Sequence, residues 1–130
     1  MPIDGMNLQQ STQVTFLYTS DRERALGFYR DKLGLALHSS DPHGDFLGQG
    51  AALVRMTVLS DHKPHEHPVL GWNVDDVVPV VEALRDRGVE CLIYEGYGQD
   101  ALGIWTAPDG SSKMAWFADP DGNLLMLNQG

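Results

Sequence analysis

The hydrophobic and polar positions of this chain follow one plan twice. Asp21 and Asp75 each stand at the end of an apolar strand-like run and precede a segment with helical periodicity. Gly34 and Gly88 close those segments and lead into the next apolar run. The two aspartates are 54 residues apart, and so are the two glycines. Because the spacing repeats although the residues differ, it predicts two copies of one supersecondary unit.

Apolar residues recur at helical spacing in both predicted helices. They are Ala25, Leu26, Tyr29 and Leu33 in the first helix, and Val77, Val81 and Leu84 in the second. Asp21 is the expected N-cap of the first helix, and Asp75 or Asp76 that of the second. Gly34 and Gly88 are expected to end the helices in the left-handed conformation.

Short runs of apolar and β-branched residues flank each helix and predict four strands per copy. They are QVTFLYT, LALHSSD, DFLGQG and ALVRMTVL in the first copy, and PVLGWNV, ECLIYE, KMAWFA and NLLMLN in the second. A short strand at GIWTA, inside the glycine-bearing loop 94–110, is a further possibility. The fold class is therefore α+β, with two βαβββ repeats.

The same pattern predicts the domain organisation. Residues 1–12 are polar and expected to be loosely ordered, and residues 13–130 form a single domain. Repeat one covers 13–59 and repeat two covers 69–128. The polar stretch 60–68, which holds two prolines, is expected to link them.

Composition and charge narrow the functional classes. The net charge of −9 argues against nucleic acid, which requires clustered Lys and Arg, but it permits a cationic ligand. No apolar run is long enough to span a bilayer, and no signal peptide is recognised at the N-terminus. Cys91 is the only cysteine, so no internal disulfide forms and a cytoplasmic location is expected. Cys91 falls in the predicted strand ECLIYE, where a packing role is expected.

Four motifs resemble one known family. FYRDKLGL, LGWNVDD, LRDRGV and WFADPDGNLLML occur in this order and are similar to segments of the vicinal oxygen chelate superfamily. That superfamily includes glyoxalase, bleomycin-binding resistance proteins and extradiol dioxygenases. The resemblance covers about residues 13–128. It implies incurved sheets with helices outside, a small-molecule site on the concave face, and a homodimer.

The metal-dependent members of that family hold one divalent ion with His and Glu side chains from four strands. The resemblance places the four positions on Val14, Arg55, Val69 and Met126. A shift of one residue would give Gln13, Met56 or Pro68, which supply no His/Glu set either. Valine offers no ligand atom, thioether sulfur is a weak ligand and a guanidinium repels the ion. No metal and no other cofactor is therefore predicted at this place.

Strand alternation then predicts which side chains line the cup. The expected ligand-binding residues are Phe16, Tyr18, Arg55, Asn73, Tyr94, Trp105, Met126 and Asn128. Arg55 is expected to hold an anionic or carbonyl end of the ligand, or else to pair with a nearby carboxylate or lie at a dimer interface. Trp72 has the opposite parity and is expected to pack beneath the second helix, whereas Trp116 is left unassigned.

A second candidate metal site is the cluster His62, His65, Glu66 and His67 in the linker. It matches no zinc spacing and is interpreted as a solvated loop, with adventitious or dimer-bridging metal binding as the alternative. His38 and His43 lie on or near a strand end. No serine stands in a G-x-S-x-G context, and no catalytic pair is identified.

The predicted function is a metal-free protein that binds a small organic ligand in the cup of the sheet. The alternatives are a metal-dependent lyase or dioxygenase of the same superfamily whose ligands are misaligned, a metal-free enzyme, or a protein that binds another chain through its exposed sheet face. The ligand itself is not predicted.

Overall fold

A computed structural model describes residues 7–130. The chain divides into two compact units, Met1–His62 and Lys63–Gly130, called unit 1 and unit 2 below. The expectation of loose order falls partly on residues 1–6, which lie outside the described part. Beyond them, Leu8–Gln10 forms a short 3₁₀ helix with no buried residue. No helix within 7–130 is long and apolar enough to cross a membrane.

Unit 1 contains a four-stranded mixed sheet and one helical segment. Its strands are β1 (Gln13–Thr19), β2 (Leu37–Asp41), β3 (Gly44–Gln49) and β4 (Ala52–Val58). The spatial order is β1-β4-β3-β2, with β1 parallel to β4 and the other pairs antiparallel. All four strands occur where the apolar runs predict them.

The helical segment of unit 1 differs from its prediction. Helix α1 covers only Arg22–Leu26, and the chain continues as a π-helix over Gly27–Lys32. The Leu33 N–H bonds to the carbonyl of Phe28, five residues back, at 2.9 Å. The apolar spacing alone predicted one regular α-helix, since it carries no sign of a change in hydrogen-bond register.

Both ends of that segment are as expected. The side chain of Asp21 accepts a hydrogen bond from the backbone N–H of Arg24 at 3.1 Å, which satisfies a free donor of the first turn. Gly34 has φ +80°, a conformation that glycine adopts without steric cost.

One face of the sheet in unit 1 packs against the helical segment. The buried residues of this core are Leu17, Leu47, Val54 and Met56 from the sheet, with Ala25, Phe28 and Tyr29 from the helical segment. Strand residues of the opposite parity form the other face, called the distal face of unit 1 below.

Unit 2 has the same order of elements as unit 1, but a two-residue edge strand takes the place of β2. Its elements are β5 (Leu70–Asn73), α2 (Val77–Asp86), β6 (Trp105–Thr106), β7 (Lys113–Ala118) and β8 (Leu124–Gln129). The sheet order is β5-β8-β7-β6, with β5 parallel to β8. Both units are therefore βαβββ, and the α+β fold class is confirmed.

The predicted strand ECLIYE, residues 90–95, is wrong. Only the Leu92 N–H reaches the sheet, at the carbonyl of Trp116. The side chain of Gln99 accepts from the Tyr94 N–H at 2.7 Å and donates to the carbonyls of Leu92 and Gly103. Because one side chain satisfies these backbone groups, no ladder forms there, and the short segment Trp105–Thr106 is the edge strand.

Helix α2 begins and ends as predicted. The Asp76 carboxylate accepts from the Val78 N–H, so Asp76 rather than Asp75 is the cap. The N–H groups of Gly88 and Val89 bond to the carbonyls of Arg85 and Leu84, which is a Schellman ending. The predicted apolar stripe, Val77, Val81 and Leu84, is buried.

Candidate functional site

The eight predicted ligand-binding residues belong to both units. Phe16, Tyr18 and Arg55 are in unit 1, whereas Asn73, Tyr94, Trp105, Met126 and Asn128 are in unit 2. In each unit, the predicted residues that lie on strands alternate onto the same face of the sheet, the one turned away from the helix. Two distal faces are therefore described in turn.

Arg55 lies at the centre of the distal face of unit 1. Its register partners are Phe16 on β1 and Phe46 on β3. The guanidinium carbon is 4.9 Å from the centroid of the Phe46 ring, within the range of a cation–π interaction. Phe16 is 63% exposed, an unusual value for a phenylalanine. This face thus offers aromatic surface on both sides of one cation.

Arg55 is paired with Asp41. Its Nη1 and Nη2 donate to the two carboxylate oxygens of Asp41 at 2.8 and 3.0 Å, a bidentate geometry. Hydrogen bonds from Arg55 and from the backbone N–H groups of His43 and Gly44 lower the pKa of Asp41 to about 2. Of the roles considered for Arg55, an ion pair is the one present in the structure. The cation is neutralised within unit 1.

Asp41 was missed by sequence reasoning, although a signal exists. The stretch DPHG, residues 41–44, has the composition of a tight turn between two strands. A hairpin closed there pairs Asp41 with Gly44, and Gly44 in turn pairs with Thr57. Asp41 is then on an adjoining row of the same face as Arg55, within reach of its long side chain.

Tyr18 lies on the distal face of unit 1, on the edge strand β1. It is 37% exposed and pairs in register with Thr57. Its ring lies 5.7 Å from that of His62 in a tilted arrangement. One member of the histidine cluster therefore contacts a predicted site residue.

A row of four side chains crosses the distal face of unit 2. Register pairs connect Asn73 on β5 with Asn128 on β8, Asn128 with Met114 on β7, and Met114 with Trp105 on β6. The Nδ2 of Asn128 donates to the Oδ1 of Asn73 at 3.1 Å. Strand alternation placed both asparagines on this face, and Met114 was missed although KMAWFA alternates in the same way.

The adjoining row contains Gly71, Met126 and Trp116, which are also register partners. Tyr94 packs edge-to-face on Trp116, with the two ring centroids 6.0 Å apart. The ring centroids of Tyr94 and Tyr97 are 5.7 Å apart. The distal face of unit 2, defined by these two rows, is therefore apolar and aromatic with two amides at one end.

Trp72 lies on the opposite face of that sheet. Its ring stacks on Phe117, which is buried, with centroids 6.3 Å apart. Trp72 therefore lies on the face opposite to the asparagines, as its parity predicts.

Unit 2 also contains a pocket of about 120 Å³ that shares no residue with the distal face. Its lining comes from α2 and the following loop, and includes Val81, Arg85, Cys91 and Leu102. Small-molecule sites usually measure about 300–1,000 Å³, so this pocket is too small to be the main site. Burial raises the pKa of the Cys91 thiol to about 11, which disfavours the nucleophilic thiolate.

The residues do not fit the divalent ion that the metal-dependent relatives use. Val14, Val69 and Met126 offer no hard ligand atom, and Arg55 is a cation that is already bound to Asp41. Within 7–130, no group of three or more His, Cys, Asp or Glu residues is placed to hold a metal ion.

Comparison with known proteins assigns the family. Residues 11–127 match the Glyoxalase/Bleomycin resistance protein/Dioxygenase superfamily. Because the match covers nearly the whole chain, this protein belongs to that superfamily. No curated protein sequence matches the chain.

Solved structures share the fold at low sequence identity. A bleomycin resistance determinant encoded on the transposon Tn5 is 21% identical, with a TM-score of 0.70 over 92% of this chain and 98% of that chain. A glyoxalase/bleomycin resistance protein/dioxygenase from Alicyclobacillus acidocaldarius is 18% identical, with a TM-score of 0.71 over 95% and 92%. Integron cassette protein HFX_CASS4, from the mobile metagenome of a Halifax Harbour sewage outfall, is 18% identical with a TM-score of 0.70 over 93% and 99%. These likenesses establish the fold.

Proposed function

We propose that this protein binds a small organic molecule without a metal. The observation that carries the proposal is the distal face of unit 2, where Asn73 and Asn128 share a row with Met114 and Trp105, and Met126 and Trp116 form the adjoining row. Small-molecule sites typically combine apolar and aromatic surface with a few placed polar groups. Phe16, Tyr18 and Arg55 are proposed to contact ligand on the distal face of unit 1.

The side chains on the distal face of unit 2 support binding rather than catalysis. General acid–base catalysis requires a carboxylate, histidine or similar group that can exchange a proton near the operating pH. The two rows of unit 2 contain amides, thioethers and indoles, which do not titrate there. Asp41, the carboxylate on the distal face of unit 1, has a pKa of about 2 and stays ionised in its pair with Arg55.

Two further properties form part of the proposal. The chain is proposed to be a homodimer, as its superfamily resemblance implies, and to work in a reducing cytoplasm because Cys91 is its only cysteine. Light scattering coupled to size-exclusion chromatography would give the mass in solution, and a mass near 14.3 kDa would contradict the dimer.

A thermal-shift screen tests the function. A ligand that binds only the folded protein raises the melting temperature by mass action. We expect hits from a library of planar organic molecules, with the shift reduced in Trp105→Ala and Trp116→Ala. Gln49→Ala, an exposed substitution at the end of β3, is the matched control and should leave the shift unchanged.

Two results would count against the proposal. The first is that no compound raises the melting temperature. The second is that untagged protein, purified from medium containing iron, zinc, nickel and manganese, holds about one ion per chain. A tag is avoided because its histidines bind metal themselves.

A further inference from the structure

We infer that the ligand of the distal face of unit 2 is an uncharged planar molecule with an amide edge, meaning an N–H donor and a C=O acceptor side by side, as in a carboxamide or a lactam. This inference rests on the proposed function and adds the chemical class of the ligand.

The hydrogen-bonding capacity of the two asparagines is the first argument. Each side-chain amide has two N–H donors and one oxygen with two lone pairs. Their mutual bond uses one N–H of Asn128 and one lone pair of Asn73. The Asn73 amino group and the Asn128 carbonyl oxygen remain available. The pair thus offers a ligand one donor and one acceptor, the two kinds of group that an amide edge requires.

The position of these groups relative to the aromatic rings is the second argument. Trp116 pairs with Met126, two residues before Asn128 on the same face, so Trp116 and Asn128 are diagonal neighbours. Diagonal neighbours across antiparallel strands lie about 7–8 Å apart. A flat molecule of about two fused rings can therefore contact the indole of Trp116 while its edge reaches the amides.

Charge is the third argument. Among the described residues that form the two rows, none has a charged side chain. An ionised ligand would lose hydration there and gain no counter-ion, which is costly. The net charge of −9 adds a long-range penalty for anions. An uncharged ligand incurs neither cost.

Isothermal titration with three matched probes tests the class. 2-Naphthamide has both the N–H and the C=O, N,N-dimethyl-2-naphthamide lacks the N–H, and 2-naphthoate is an anion of similar shape. We expect 2-naphthamide to bind, with the dimethyl compound about three- to tenfold weaker because the Asn128 oxygen loses its donor. The naphthoate should bind at least about tenfold weaker, since its charge is left without a partner.

Variants connect that preference to the asparagines. Asn73→Ala changes an exposed side chain, so the fold should be retained, and it should weaken 2-naphthamide about three- to tenfold. Asn128→Ala should reduce the preference for 2-naphthamide over the dimethyl compound. Gln49→Ala removes an exposed amide of unit 1 and should change neither affinity. Melting temperatures of each variant report whether folding is intact.

The inference is overturned if 2-naphthamide does not bind, if all three probes bind equally, or if Asn73→Ala leaves the affinities unchanged. Failure of the ligand class is distinct from failure of the proposed function. If another compound raises the melting temperature and depends on Trp105 or Trp116, only the amide-edge class is wrong. If no compound does so, binding at this face is itself refuted.

Discussion

Arg55 and Asp41 form a bidentate ion pair, with both carboxylate oxygens bound at 2.8 and 3.0 Å. The guanidinium also contacts the ring of Phe46. Arg55 is therefore held by two partners and does not present a free positive charge to an anionic ligand. An anion that bound Arg55 would first have to compete with Asp41.

Replacing Arg55 by methionine is expected to raise the pKa of Asp41 from about 2 towards its ordinary value of 3.8. Hydrogen bonds from the N–H groups of His43 and Gly44 remain, so the rise should be incomplete. Because the folded pKa is lowered, the stabilisation is present above pH 3.8 and is lost as the pH falls through about 2. Carboxyl ¹³C NMR titration measures this directly. Arg87→Met is the control, and an unchanged Asp41 pKa in Arg55→Met would refute the pair.

Ser40 and Arg22 stabilise a second carboxylate. Asp45 is 1% exposed and accepts hydrogen bonds from the Ser40 hydroxyl at 2.6 Å and from Nε and Nη2 of Arg22. Burial raises the pKa of Asp45, but these hydrogen bonds and the positive charges of Arg22 and Arg55 together outweigh burial, so the net pKa is lowered. Since Arg22 also donates to the carbonyls of Asp41 and Gly44, it connects the start of α1 to the β2–β3 hairpin.

Ser40→Ala is expected to lower the free energy of unfolding by about 1–2 kcal/mol, because a buried carboxylate loses one of its donors. Arg22→Met should lower the free energy of unfolding further, because it leaves the Asp45 carboxylate without its counter-ion. Urea denaturation at pH 7 measures both. The neighbouring Ser39→Ala is the matched control and should change stability by less than about 0.5 kcal/mol. Equal effects of the two serine substitutions would contradict the role of Ser40.

The fold was predictable because its signals are local. Asp21, Gly34 and Gly88 have the roles that their residue types indicate, and strand alternation separates the two faces of each sheet. Two features had no such signal. The π-helix at Gly27–Lys32 arises from a change in hydrogen-bond register, and the segment 90–95 loses its strand because Gln99, several residues further on, bonds to its backbone.

For the candidate site, the sequence could predict only the face of the sheet on which each residue lies. Alternation put Asn73, Asn128 and Met126 on the face turned away from α2, as the structure does. It could not show that the two asparagines bond to each other, or that Asp41 pairs with Arg55. Both contacts join residues on different strands, so they depend on register.

Cys91 should react slowly with alkylating agents. Burial, followed by the negative charge of Asp100, raises the pKa of its thiol from 9.0 to about 11. The thiolate is the reactive form, so at pH 7.5 we expect alkylation by iodoacetamide to be on the order of 100-fold slower than in urea-unfolded protein. Mass spectrometry over time gives both rates. The raised pKa also means that stability is lost as the pH rises from 9 towards 11. Comparable rates in the folded and unfolded protein would refute the burial argument.

Gly27, inside the first helical segment, and Gly34, just after its end, should respond to alanine in opposite directions. Gly27 has φ −57° and ψ −34°, and an added Cβ would meet no atom within 4 Å, so Gly27→Ala is expected to stabilise the fold by about 0.5–1 kcal/mol. Gly34 has equally open surroundings but φ +80°, so Gly34→Ala should destabilise it by about 1–2 kcal/mol. Because space is open at both positions, the difference isolates the backbone conformation. Urea denaturation of the two variants measures it, and changes of the same sign would show that the segment does not end at Gly34 as described.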